Sequence, residues 1–172
     1  MIPTIKKILY ATDLSSNSAY AFRYAVASAE HHDAQIVILH VMEGVHGSAK
    51  SLVDLYLDEE QRKKIFEEKL SDVKQRIAER LQAFCEIELK DKPECINRVQ
   101  SIEIVDGYPA EEILKKADDL NCDIIVMGTH GKGFISHTFL GSMAERVLRR
   151  IRKPVLVIPL PKGESGITLH DI

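Results

Sequence analysis

The chain contains no tryptophan and only five tyrosines and five phenylalanines among 172 residues. That argues against the aromatic stacking platforms on which single-stranded nucleic acids are held. Charge of one sign is also scarce. The net charge is −3 and the pI near 6.2, so there is no basic footprint for nucleic acid or an anionic membrane. No apolar run is long enough to span a bilayer. Met1 to Lys7 passes almost at once into a strand pattern, so the expectation is a cytoplasmic chain with no signal peptide. Three cysteines, Cys85, Cys95 and Cys122, form an odd set without metal-ligand spacing; Cys85 and Cys95 are near enough along the chain to pair, but free thiols are the expectation.

What remains is ordinary for one soluble domain: 45% hydrophobic and 28% charged residues. Apolar runs alternate with helical patterns along it. Ile5–Ala11 and Gln35–Val41 read as buried strands. Between them Phe22, Ala25, Val26 and Ala29 mark a helix that Asp33 ends. From Leu55 to Phe84, apolar residues at Phe66, Leu70, Val73, Ile77, Leu81 and Phe84 draw one stripe along a long charged helix, after a loop near Gly44 and Gly47. Glu86–Arg98 reads as loop. Val99–Val105 alternates like a half-exposed strand, and Pro109 opens a helix that turns Ile113, Leu114, Ala117 and Leu120 inward. Cys122–Met127 and Pro154–Ile158 are the last two strands. Strands alternating with helices call for a three-layer α/β fold, a parallel sheet with helices on both faces. The expected organisation is one domain over residues 1–160, with a helical insertion at about 44–98 and a tail at 161–172.

The chemistry concentrates in residues 126–145. Gly128, Gly131, Gly133 and Gly141 lie between the fourth strand and a helix that Ser142 would cap, with Glu145 closing a capping box. Glycines let backbone N–H groups approach a ligand, and a helix start carries partial positive charge, so the pattern suits a polyphosphate. It equally suits a surface loop followed by an ordinary cap. There is no P-loop, because Phe134 follows Gly133 where lysine is required.

The spacing Gly128-x2-Gly131-x9-Gly141-Ser142 resembles the ATP-binding motif of the universal stress protein family. Ile8–Ser15, Gly107–Ile113 and Arg152–Ile158 are similar to other landmarks of that family. The resemblance implies an adenine nucleotide alpha-hydrolase-like fold with five parallel strands in the order 3-2-1-4-5, and a cleft between the first and fourth. It implies ATP or another adenine nucleotide as ligand, with Mg2+ or Mn2+. Ala11, Thr12, Asp13 and Val41 would meet the adenosine, and Gly128, Gly131, Gly141 and Ser142 the phosphates. Met127, His130, Lys132 and Met143 would flank them. Asp13 would reach ribose, base or a metal ion through water, or else serve only the first helix's cap. His130 would meet the ligand or only hold the loop. Lys132 stands where relatives often carry arginine, and Ser136 and His137 where further basic residues are common, which would weaken the phosphate grip or make it pH-dependent near neutrality through His130 and His137.

The residues give little sign of catalysis. The function expected is therefore a regulatory, stress-response nucleotide binder with at most slow hydrolysis. A homodimer would form through Val155–Ile158, a strand apolar on both faces at a sheet edge. The alternatives are a phospho-acceptor receiver domain built on Asp13 and Asp106, and a scaffold without a ligand. A receiver needs an acidic pair after its first strand and a lysine after its last, whereas Asp13 stands alone and Lys153 precedes the final strand.

Overall fold

The computed structural model describes residues 2–43, 58–130 and 140–161. The expected loop at Gly44 and Gly47, the start of the long helix at residues 55–57, and the tail beyond residue 161 lie outside the described residues.

Five strands form one parallel sheet: β1 (Lys7–Thr12), β2 (Gln35–Met42), β3 (Val99–Asp106), β4 (Ile124–Gly128) and β5 (Val155–Ile158). Their order is β3-β2-β1-β4-β5, as the resemblance implied. The four helices among the described residues are α1 (Ser16–His32), α2 (Glu59–Glu88), α3 (Pro109–Asp119) and α4 (Ser142–Leu148). Successive side chains of a strand point to opposite faces, and the core divides accordingly. Ile8, Tyr10, Ile36, Ile38 and Val126 pack with α1 and α2 on one face. Leu9, Ala11, Val37, Leu39, Ile125 and Met127 pack with α3 and α4 on the other.

Local chemistry sets the boundaries. Ser15 caps α1, its side chain accepting from the Ser18 amide, and Asp33 ends the helix in the left-handed region at φ 51°. Asp58 and Gln61 form a reciprocal capping box at the start of α2. Pro109 occupies the first position of α3, after Gly107 at φ 151° and the N-cap residue Tyr108.

Three expectations are corrected. The segment Glu86–Arg98 is loop only at residues 89–92: α2 runs on to Glu88, and Pro93–Arg98 is a 3-10 turn that buries Cys95. The stripe on α2 is buried only at its C-terminal end. Leu81, Phe84 and Cys85 are inaccessible, whereas Phe66 and Val73 are 42% and 47% exposed, because the helix packs on the core through its last turns only. Cys122 precedes β4 instead of starting it; its backbone N–H donates to the Ala117 carbonyl and closes the turn after α3. All three thiols are buried and free.

Candidate functional site

From β1 the chain leads outward to β2 and β3, then returns to the other side of β1 as β4. The two connections therefore part at the carboxyl ends of β1 and β4, where open α/β sheets hold their ligands. A cleft of about 810 Å³ opens there.

One wall is the exit of β1, and its turn is closely hydrogen-bonded. Asp13 Oδ1 accepts from both the Ser15 amide and the Ser15 hydroxyl, at 3.1 and 2.6 Å. Thr12 Oγ1 lies 2.9 Å from Ser18 Oγ and accepts from the Leu14 amide. Leu14 takes a positive φ of 66°, so these bonds hold a backbone conformation that leucine seldom adopts. Asp13 thus shapes the turn that presents it to the cleft.

A second wall is the end of β2. Pairing with β1 stops at Thr12 opposite His40, so Val41 and Met42 run past the end of their neighbour. His40 is buried, and its Nδ1 lies 2.8 Å from the Thr12 carbonyl oxygen. A carbonyl only accepts, so Nδ1 carries the proton. That bond fixes the two strand ends relative to each other.

The third wall is the exit of β4 with the start of α4. Here one buried side chain organises the backbone. Asn17, on the first turn of α1, accepts at Oδ1 from the His130 amide at 2.8 Å and from the Thr129 hydroxyl at 3.3 Å. Its Nδ2 donates to the Ile158 carbonyl at 3.1 Å, at the end of β5. The Gly141 amide donates to the Thr129 carbonyl at 2.7 Å, so it closes the chain between Thr129 and Gly141 instead of facing the cleft. A Cβ at Gly141 would sit 2.7 Å from that same carbonyl oxygen, which leaves room for glycine only.

The expected cap of α4 is corrected. Gly141, not Ser142, is the N-cap, Ser142 is the first helical residue, and no side-chain hydrogen bond caps the terminus. With glycine at the cap, the helix's leading amides, which have no intrahelical acceptor, lie along the cleft at Ser142, Met143 and Ala144.

Of the residues singled out from the sequence, Ala11, Thr12, Asp13, Val41, Met127, Gly128, His130, Gly141, Ser142 and Met143 all line this one cleft. Gly131 and Lys132 lie outside the described residues. Three residues that shape the cleft were not singled out: Asn17, His40 and Thr129. Asn17 sat within a run of turn and cap residues, and its only signal was an amide side chain on a helix's inward face. After the leading Gln35, His40 was the one polar residue in the apolar run Gln35–Val41.

Fold and cleft together define a doubly wound α/β protein with an open site at its topological switch point. The chain belongs to the universal stress protein family, whose pattern it matches over residues 4–159. It is 34% identical over 153 residues to Universal stress protein MJ0577 of Methanocaldococcus jannaschii, a match covering 89% of this chain and 94% of that one. It is 33% identical to a universal stress protein of Thermus aquaticus, over 89% of this chain and 98% of the other. The solved structure of MJ0577 superposes with a TM-score of 0.68 at 28% identity, covering 94% of this chain and all of that one. A more distant structure of the same fold, at 20% identity and TM-score 0.54, is a universal stress protein in complex with cAMP; the superposition covers 92% of this chain and all of that one.

Proposed function

We propose that this cleft binds an adenine nucleotide, ATP accompanied by Mg2+ or Mn2+, and that the chain acts as a regulatory nucleotide binder in a stress response, with at most slow hydrolysis. The observation that carries this reading is convergence. The β1 exit at Ala11–Asp13, the β2 end at Val41, and the β4–α4 amides around Gly128 and Ser142 all border the same opening of about 810 Å³. Adenosine would lie against the overhanging end of β2, where the Val41 backbone runs beyond its β1 partner and can pair with a base edge. The phosphates would lie against the leading amides of α4.

The residues fit a metal that arrives with the nucleotide. Asp13 Oδ1 is already engaged by Ser15, and among the described residues no cluster of three His, Cys, Asp or Glu side chains forms a ligand set. The phosphates would therefore carry the ion, with Asp13 reaching it through water. The receiver reading gains nothing from the geometry. Lys153 Nζ donates to the Ala117 and Cys122 carbonyls, and Asp106 pairs with Lys74 at the end of β3.

Self-association belongs to the same proposal. Strand β5 is a sheet edge of four apolar residues, three of them only partly covered, and a second copy of the chain would complete it.

Calorimetry with ATP and Mg2+ tests the reading, together with mass spectrometry of nucleotide released from freshly purified protein. Saturable heat at one site per chain is expected. No heat, and no nucleotide carried through purification, would leave only the fold.

A further inference from the structure

We infer that Asn17 couples the nucleotide cleft to the β5 edge by bracing the direct Thr129–Ile158 backbone bond from both sides, so that ligand state and self-association are linked through this side chain. The inference rests on the function proposed above and adds how it would be regulated.

Asn17 is 5% exposed, yet belongs to neither element it joins. Its carboxamide is a donor and an acceptor at one carbon, and both ends are used. Oδ1 receives the His130 amide, the first peptide beyond the cleft's Thr129. Nδ2 gives its proton to the carbonyl of Ile158, the last residue of β5. The partners fix the orientation: only an oxygen can accept from the His130 amide, and only a nitrogen can donate to a carbonyl.

The Ile158 carbonyl also accepts from the Thr129 amide at 3.0 Å, and the Thr129 carbonyl from the Gly141 amide at 2.7 Å. A continuous path therefore runs from Gly141, beside the leading turn of α4, through Thr129 to Asn17 and the end of the edge strand. Every step is a hydrogen bond in a buried or half-buried setting, where a displaced partner is costly. A Cβ at Gly128 would meet Asn17 Oδ1 at 2.8 Å, so the amide is also hemmed in sterically. Thr129 and Gly141 both line the cleft, so a ligand that shifts either of them acts on the carbonyl that terminates β5. Pairing along β5 acts in return on the cleft, as linkage requires.

The test is the effect of ATP on the dimer dissociation constant, measured by sedimentation at fixed Mg2+, in the parent chain and in Asn17→Leu. The leucine side chain has similar bulk but neither donor nor acceptor. In the parent, ATP is expected to shift the dimer constant about 5-fold or more. In Asn17→Leu, with far-UV dichroism unchanged, the shift should fall to less than about 2-fold. A residue that merely stabilises the fold would lower the melting temperature and leave that ratio intact. Should Asn17→Leu not fold, hydrogen exchange on the parent replaces it. ATP must then change the protection of the Val155–Ile158 amides. A variant with the parent's full linkage overturns the coupling. So does a parent that binds ATP while its self-association, or the exchange of β5, ignores it. A parent and variant both silent toward ATP overturn the nucleotide reading itself, which is a separate result.

Discussion

Gly128 and Asn17 exclude each other's growth: a Cβ built on Gly128 would sit 2.8 Å from Asn17 Oδ1 and 2.9 Å from its Cγ. Asn17 cannot retreat, because the Ile158 carbonyl and the His130 amide hold both ends of its carboxamide. Gly128→Ala is therefore expected to cost about 1–3 kcal/mol in urea denaturation, the usual cost of overpacking a close-fitted interior. It should also weaken ATP binding at least several-fold. An alanine variant as stable as the parent would show that Asn17 has another position to occupy.

Tyr10 lies at the centre of the α1 face. Its hydroxyl donates to the Ser18 carbonyl at 2.6 Å, and its ring meets Phe22 at 5.2 Å between centroids. Tyr10→Phe keeps the ring and removes the bond, so a loss of about 1 kcal/mol is expected from chemical denaturation. The change should leave nucleotide affinity within a factor of about 2, well under the tenfold that 1.4 kcal/mol would represent.

Alkali should weaken the fold through buried acids. Burial pushes the Cys85 thiol from its ordinary 9.0 up to about 12, helped by Glu86 and Glu88, and burial also raises the Tyr10 phenol above its ordinary 10.0. Below pH 9 both folded and unfolded chains keep the Cys85 proton, and its contribution is fully present. Above pH 9 the unfolded chain releases the proton while the folded chain holds it until about pH 12, so stability falls across that window. The slope is up to about 1.4 kcal/mol per pH unit per group, with Tyr10 adding to it above pH 10. Urea midpoints measured from pH 8 to 11 should decline steadily, and less steeply in Cys85→Ala. Identical slopes for the two proteins would contradict this.

The β5 edge should decide assembly. Val157→Lys places a charge on a half-buried edge residue, a device that natural sheets use to stop strand addition. Light scattering at micromolar concentration is expected to find the parent dimeric and the variant monomeric. A monomeric parent would remove the dimer from the proposal.

The two ends of α2 should differ sharply. Leu81 is inaccessible, so Leu81→Ala is expected to cost about 2–5 kcal/mol. Phe66 is 42% exposed, and Phe66→Ser should change thermal stability by no more than about 0.5 kcal/mol. Equal losses at both positions would mean that Phe66 is covered in solution.

The strands and helices were legible because each rests on a local signal, whereas the strand order and the position of the cleft came from the family resemblance. Apolar runs gave the strands and cap residues gave the turns, and with the order implied by the resemblance Asp13 and Gly128 leave their strands at the same end of the sheet. The misreadings arose where local signal and tertiary packing part company. An apolar stripe on α2 shows which face could be buried but not how far along the sheet reaches, so Phe66 and Leu81 look alike in sequence. Ser142 has every property of a cap, yet Gly141 takes that place, since its amide must pass within 2.7 Å of the Thr129 carbonyl. Asn17 and His40 were hidden for a further reason. A buried amide or imidazole declares itself through partners distant in sequence, such as Ile158 for Asn17, and no window along the chain contains both.

Strand β1 is the first strand in the chain and lies at the middle of the sheet, with β4 as its second neighbour, Ile8 opposite Ile124 and Ala11 opposite Met127. During synthesis β2 and β3 can join one side of it early, but the other side stays bare until more than a hundred further residues have left the ribosome. For that interval the nascent chain carries a raw, apolar ribbon edge at its own centre, open to mispairing with neighbouring chains. The segments that emerge after that interval, β4 with α4 and β5, are thus the ones that both shelter this edge and complete the cleft.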